Sequence, residues 1–536
     1  MTTHGRDEIW SRLRGEPFDL LVIGGGATGA GVALDAATRG LSVALVERDD
    51  FSAGTSSRST KLIHGGVRYL EKAVKEFDRS QFALVRDALK ERAVLIRLAP
   101  HLARPLPLVT PLYQWLQVPY FRTGLKMYDW LAGRSNLAPS SFVDAKEALQ
   151  RFPMLKPEGL RGGVVYYDGQ FDDARMNVAI ALTAAEQGAT VANHAQVTAL
   201  IHEEGRLRGA EVRDRETGDV AEVRAAAVIN ATGPFSDAIR RMDDPSVAPM
   251  LSASSGIHVV LDARFSPPDT GLLIPETEDG RVLFLLPWLG HTLVGTTDAP
   301  AEIEPHPKAA EEDVEYVLRH VRKYFSVPVD RSDVKATWSG LRPLVSDPEA
   351  ADTAGLSRDH VVHRSESGLL TIAGGKWTTY RRMALDAVDQ AVETAELTAG
   401  PSRTETTMIV GGAGYSPTGA GELQERFGLE PDVASHLNHA YGDRAPEVAR
   451  LALAEGLEAR LDAAHPYLEA EVLHAVRNEL ARTSTDVLAR RTRLAFVDRD
   501  AAVQALARVN GLLAREFGWD EDRAVEDRAD AMAYLV

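Results

Sequence analysis

Residues 19–47 constrain the fold more tightly than any other stretch. Leu20, Leu21, Val22 and Ile23 make an apolar run the length of one buried strand, and it stops at Gly24, Gly25, Gly26, Ala27, Thr28 and Gly29, a G-x-G-x-x-G pattern. A helical pattern follows to Arg39, with Gly40 as a natural stop, and a second apolar run over 41–46 ends on Glu47. Strand, glycine turn, helix, strand and acid predict a dinucleotide-binding βαβ unit. Gly24 permits the tight turn, Gly26 lets the backbone approach a pyrophosphate, and Gly29 with Ala33 lets the helix pack close to the strand. The helix N-terminus offers N–H groups and partial positive charge to phosphates. Glu47 sits where a ribose hydroxyl needs an acceptor. The bland alternative, a glycine-rich turn in an ordinary α/β domain, leaves the second strand and its terminal acid unexplained.

At 536 residues the chain is too long for one core, so two or three domains are expected. Sixty basic and 77 acidic residues give a net charge of −17, which argues against a nucleic-acid partner and against a wholly basic membrane surface. The absence of cysteine excludes disulfides, thiolate catalysis, iron–sulfur clusters and a cysteine-linked flavin. Residues 1–17 are charged and lack an apolar core, so no signal peptide is expected. No run approaches the ~20 apolar residues of a spanning helix, so membrane contact is expected to be peripheral.

After Glu47, residues 51–61 form a loop rich in Gly, Ser and Thr that leads into Leu62, Ile63, His64 and Gly65. Its hydroxyls, with Thr55, Ser56 and Ser57 at the centre and Lys61 at the end, suit a phosphate and flavin cradle; a plain surface loop is the alternative. Residues 72–97 show helical periodicity. Over 97–134 five prolines (Pro100, Pro105, Pro107, Pro111, Pro119) predict broken structure. There Tyr113, Trp115, Tyr120, Phe121, Tyr128 and Trp130 mix with Arg104, Arg122, Lys126 and Arg134, and Asp129 is the one acid. This basic and aromatic island suits a membrane interface, and equally a packing segment with solvated arginines. Asp172 or Asp173 caps a helix that runs to about 187. Strands over 209–215 and 220–229 make a hairpin, which ends at Asn230, Ala231, Thr232 and Gly233, a second close approach to a nucleotide. Residues 251–298 are β-rich, and 338–344 read as a short turn carrying one arginine. A strand over 369–373 meets Gly374, Gly375, Lys376 and Thr378 and then a helix, a second anion-binding end. Such an end could face the edge of a flavin that becomes negative on reduction. Residues 398–407 read as a linker and 408–536 as a helical domain for packing or oligomerisation, without a catalytic constellation.

Several blocks now coincide in order: 23–29, 55–57, 61–70, 230–234, 258–260, 295–298, 339–344 and 374–381, with 481–483 and 486–492 further on. Together they resemble the FAD-dependent, respiratory glycerol-3-phosphate dehydrogenases. The glycine fingerprint is shared widely among flavoproteins; Lys61-Leu62-Ile63-His64-Gly65-Gly66 and Gly374-Gly375-Lys376-Trp377-Thr378-Thr379-Tyr380-Arg381 are far more specific. The resemblance implies an α/β fold of the glycine/D-amino-acid-oxidase type: a Rossmann-type FAD-binding domain interleaved with a β-rich substrate domain, plus a C-terminal helical domain. The expected division is 1–397, with substrate parts over roughly 100–165 and 250–345, then 398–407 and 408–536. The resemblance also implies FAD held non-covalently, oxidation of glycerol 3-phosphate to dihydroxyacetone phosphate, and electrons passed to membrane quinone from the cytoplasmic face of the inner leaflet. It places Arg68, Tyr69, His258, Arg342 and Lys376 at the substrate. A homodimer is compatible with all of this.

The substrate's chemistry leads the same way. A phosphate dianion needs fixed cationic donors, and the guanidinium fork suits it, so Arg68 and Arg342 are assigned to the phosphate with Tyr69 assisting. Removal of a hydride from C2 needs a base for the C2 hydroxyl proton. His258 is the candidate, Asp298 a weaker one or a partner that orients His258, and Lys376 a stabiliser of developing negative charge. The competing readings are an O2-using oxidase of the same fold, an amino-acid or sarcosine-type oxidase, and a non-catalytic flavin-binding protein.

Overall fold

The computed structural model describes residues 5–15, 17–66, 79–275, 277–278, 280–345 and 360–536. Arg68 and Tyr69 lie outside these residues.

The first apolar run becomes the strand Phe18–Ile23. It is parallel to Val43–Val46 on one side and Val220–Asn230 on the other, so Ile23 stands level with both Val46 and Asn230. Strands buried on both faces carry continuous rather than alternating apolar sequence, which is how this run reads. The helix Ala27–Thr38 returns over the sheet with Thr28 as its one residue that is not buried, because the helices Tyr380–Thr394 and Asp173–Glu186 pack against it. Thr190–Ala192 and Leu370–Gly374 extend the parallel sheet on its two sides, and His360–Arg364 closes one edge in the antiparallel sense. The expected hairpin forms between Arg206–Asp214 and the first half of Val220–Asn230. Asp172 caps the helix Asp173–Glu186 through Arg175 N at 3.2 Å.

A second sheet, ten strands among the described residues, lies beside the first. Near one end of it, Leu251–Leu261 pairs with Val334–Val345 on one edge and with His291–Gly295 on the other. Two expectations change here. Residues 338–344 are not a turn: they belong to the strand Val334–Val345, whose Arg342 stands opposite Ser254 and Trp338 opposite His258. Ser339 and Gly340 interrupt the apolar alternation by which a strand announces itself. Residues 97–134 are not broken either. They hold the strand Ala103–Leu112 and the helix Gln117–Ala132. Pro105, Pro107 and Pro111 occupy alternate positions, so their missing donors fall on one edge and the antiparallel ladder to Gly162–Phe171 is kept on the other.

Beyond residue 408 the chain is helical, from Gly419–Phe427 to Glu521–Leu535. Residues 398–407 lie along the first unit: Gly400 N donates to Arg39 O at 2.9 Å and Thr404 Oγ1 to Asp35 at 3.4 Å. The helical unit docks through buried charge. A π-helical turn at Asp486–Arg491 places Arg490 Nε and Arg491 Nη1 at 2.7 and 2.8 Å from Asp50 Oδ2.

Candidate functional site

A cavity of about 470 Å³ opens where the glycine turn, the 48–64 loop and both sheets meet. Its dinucleotide half follows from the sequence. Gly24 has φ +107, and a Cβ there would lie 2.7 Å from Ala231 O. Gly26 faces Ser56, whose Oγ accepts from Ala27 N at 2.9 Å and would be 3.0 Å from a Cβ on Gly26. Gly29 acts behind the wall: a Cβ there would meet Gly24 O at 1.8 Å, so only glycine lets the helix sit this close. Gly25 does not line the cavity; its N–H donates to Glu47 Oε2 at 2.6 Å. Glu47 also accepts from Asp49 N at 2.9 Å, and burial, reinforced by the Asp49 carboxylate, pushes its pKa up.

The hydroxyl-rich loop is knitted to both sheets. Thr55 Oγ1 donates to Leu341 O at 2.7 Å, and Trp377 Nε1 donates to Ser56 O at 2.9 Å. Thr28, Leu62, His64, Ala231, Thr232, Gly233, Gly375, Lys376 and Thr378 also line the cavity. Ser57 and Lys61 do not. Lys61 points into the interior, with Nζ 2.7 Å from Asp173 Oδ2 and 2.8 Å from Ser57 O; burial lowers its pKa to about 8.

The other half is built on the second sheet. His258 projects from Leu251–Leu261 between Gly295 and Trp338, and its ring stacks on Trp338 with centroids 5.3 Å apart. A Cβ on Gly295 would come within 2.3 Å of His258 Cδ2, so that glycine makes the space for the ring. His258 Nε2 is 3.0 Å from Thr60 Oγ1, while Nδ1 is buried with no hydrogen-bond partner among the described residues. Burial, then the Lys61 and Arg342 charges, hold His258 well below the usual histidine pKa, so it stands neutral. Arg342 reaches the cavity from Val334–Val345; Nη1 donates to Asp298 Oδ1 at 3.0 Å and Nη2 to Thr297 O at 3.0 Å. Asp298 therefore pairs with Arg342 rather than orienting His258, whose Nε2 faces Thr60.

Sequence reasoning missed Thr60, which meets His258 across 198 residues, and Arg58, whose guanidinium reaches Pro305 O at 3.4 Å. Both sit inside the loop already singled out, and only their long-range partners were hidden. The donors suit a dinucleotide: a helix N-terminus with free approach, an acid at the end of the second strand, and glycines whose side chains would fill the space.

Comparison with known proteins agrees. The family described as FAD dependent oxidoreductase matches residues 19–381, and the one described as the C-terminal domain of alpha-glycerophosphate oxidase matches 402–524. The chain is 53% identical to the mitochondrial glycerol-3-phosphate dehydrogenase of Macaca fascicularis, over 97% of this chain and 73% of that protein. It is 52% identical to that of Homo sapiens over the same shares. Among solved structures, the glycerol-3-phosphate dehydrogenase from Bacillus halodurans, complexed with FAD, is 29% identical; the match has a TM-score of 0.80 and covers 100% of this chain and 97% of that one. Fold, glycine cradle and relatedness over nearly the whole length converge: the chain belongs to the family of FAD-dependent glycerol-3-phosphate dehydrogenases.

Proposed function

We propose that this protein oxidises sn-glycerol 3-phosphate to dihydroxyacetone phosphate in the cavity between the two sheets and passes the electrons to a membrane quinone. The observation that carries the reading is the pairing, on adjacent strands of one cavity wall, of a neutral imidazole at His258 with a fixed guanidinium at Arg342. Bound FAD would supply the acceptor, at its N5, for the hydride leaving C2. Gly24, Gly26 and Ala27 would hold its pyrophosphate, Glu47 its ribose, and Thr55, Ser56 and Ala231–Gly233 its middle. His258, neutral and with Nε2 3.0 Å from Thr60 Oγ1, would take the C2 hydroxyl proton on a ring nitrogen. C–O then becomes C=O as the C–H electron pair departs. Arg342, with Arg68 and Tyr69, would hold the phosphate dianion. Lys376, in the turn before the helix Tyr380–Thr394, would offset negative charge arising at the ring.

Access to a quinone needs contact with a bilayer. Among the described residues no helix is long and apolar enough to cross one. The basic and aromatic island divides: Tyr128 is core, with its hydroxyl 2.8 Å from Asp168 Oδ1, whereas Trp115 (64% exposed), Leu116 (86%), Tyr120 (49%) and Trp130 (77%) face outward. Arg122, Lys126 and Trp130 recur every four residues on Gln117–Ala132, which puts cations and an indole on one helix face. This face suits the inner-leaflet interface. The deciding experiment is anaerobic addition of sn-glycerol 3-phosphate to the purified flavoprotein: rapid loss of flavin absorbance is expected. Bleaching by dithionite but not by the substrate would overturn the assignment. Hydrogen peroxide formed one-for-one with product would replace quinone by O2.

A further inference from the structure

The C-terminal helical unit reaches the back of the proposed active site. After the π-helical turn Asp486–Arg491 the chain passes through Arg493 at φ +66, a left-handed conformation that is unusual for a residue with a side chain. That turn directs a fully buried guanidinium out of the helical unit. Arg493 Nη2 donates to Ser57 O at 2.8 Å and lies 3.1 Å from Asp173 Oδ1. Lys61 grips the same two partners from its own side, and Ser59 Oγ donates to Asp173 Oδ2 at 2.8 Å. Residues 57–61 are thus fixed around one buried carboxylate, which two cations neutralise. Thr60 lies inside this clamp, and its hydroxyl is the partner of His258 Nε2.

A second contact arrives from the same segment. Phe496, on the short helix Leu494–Val497, packs on Trp338 with centroids 5.0 Å apart, and Trp338 is the ring on which His258 stacks. Arg493 lies 4.2 Å over Phe496, and Lys61 Nζ lies 5.0 Å from the Trp338 ring. Both restraints on the imidazole, the hydroxyl at its edge and the indole beneath its face, therefore end on residues 493–496. An arginine spent on a backbone carbonyl and a carboxylate in the interior, at a strained φ, does not add to stability cheaply: burying such a pair costs about what its attraction returns. Strain and buried charge of this kind mark places where geometry is being specified.

We propose that Arg493 and Phe496 are positioning residues for His258, so that the C-terminal unit braces the active-site wall from behind rather than only packing or oligomerising. The proposal rests on the assignment of His258 as the base. Charged groups facing His258 and its clamp are Lys61, Arg342, Asp173, Arg493 and Asp172, whose Oδ1 is 3.5 Å from Arg493 Nε, with Asp298 behind Arg342.

The test is a double-mutant cycle on the FAD-loaded protein, with kcat, KM and flavin occupancy read at 25 °C. Arg493→Met is expected to lower kcat about tenfold, with KM and flavin occupancy within twofold, because base alignment and not binding is lost. Thr60→Val should cost a similar factor. The double variant should fall no further than about tenfold, since both changes cut the same restraint. Arg493→Lys should recover part of the loss. A hundredfold, additive double variant, or an Arg493→Met kcat equal to that of the unaltered protein, overturns the proposal. If Arg493→Met does not fold, Phe496→Leu takes its place: a kcat lowered several-fold with KM and flavin occupancy within twofold supports the proposal, and an unchanged kcat overturns it. His258→Gln separates the two ideas: unchanged kcat there sinks the base assignment, whereas a large loss there beside normal Arg493 variants sinks the positioning role alone.

Discussion

Removal of the Arg342 guanidinium makes the sharpest prediction, because its surroundings fix what else must change. Its forked end is held by Asp298 Oδ1 at 3.0 Å, Thr297 O at 3.0 Å and Thr296 Oγ1 at 3.3 Å, so it is set in place before any ligand arrives. Two charge-assisted bonds to a phosphate, taken at about 1.5 kcal/mol each because solvent still reaches the group, sum to about 3 kcal/mol, or roughly 150-fold in kcat/KM. Arg342→Ala should show that loss mainly in KM, with flavin content intact, since the cofactor contacts lie on the other sheet. Arg342→Lys keeps a charge but loses the fork, and about tenfold is expected. In the alanine variant Asp298 loses the 3.0 Å bond from Arg342 while the contact with Arg281 at 4.0 Å stays, and a buried group that loses a hydrogen-bond partner costs about 1–3 kcal/mol of stability. Adding Asp298→Asn should therefore raise the melting temperature of the alanine variant and relieve the repulsion felt by the incoming dianion. Steady-state kinetics with an artificial acceptor, flavin absorbance and thermal melting read the three effects separately. A KM within threefold of the unaltered protein at full flavin content would show that the phosphate binds elsewhere.

Gly29→Ala drives a Cβ into Gly24 O, 1.8 Å away, and should yield protein purified largely without flavin; normal flavin content would refute the close-packing account. Replacing Trp115 and Trp130 by Ser removes about 2 kcal/mol of apolar transfer each, so affinity for anionic vesicles should fall on the order of 1,000-fold in co-sedimentation, and equal sedimentation would dismiss that face as the membrane contact. Buried His101 has its pKa lowered to about 3, chiefly by desolvation, against 6.5 when unfolded. The unfolded chain then binds a proton that the native state does not, and stability falls as pH drops below 6.5. At pH 5 the 1.5-unit gap is about 2 kcal/mol, so His101→Gln should flatten the denaturation midpoint between pH 7 and 5 by that amount; an unchanged pH dependence would refute it.

These residues also show what a sequence carries and what it conceals. The nucleotide half was legible because its chemistry is backbone chemistry. A phosphate at a helix N-terminus demands glycine at Gly24, Gly26 and Gly29 within six residues, and no tertiary partner is needed to see it. His258 and Arg342 were legible only through the motif blocks around them: the strand that bears Arg342 hides its alternation behind Ser339 and Gly340, and nothing local distinguishes His258 from a core histidine. Lys61 shows how local reading misleads. A lysine that ends a hydroxyl-rich loop beside a nucleotide site looks like a phosphate ligand, yet its partner Asp173 lies 112 residues away and draws it inward. The same holds with greater force for Arg490, Arg491 and Arg493. In sequence they are basic residues of a helical tail, and the acids that explain them, Asp50 and Asp173, stand 441 and 320 positions distant from Arg491 and Arg493. Buried ion pairs are specified by a partner, not by a pattern, so they leave no periodic trace. In this protein the unit that looked inert from its sequence is the one whose buried arginines reach the loop beside His258.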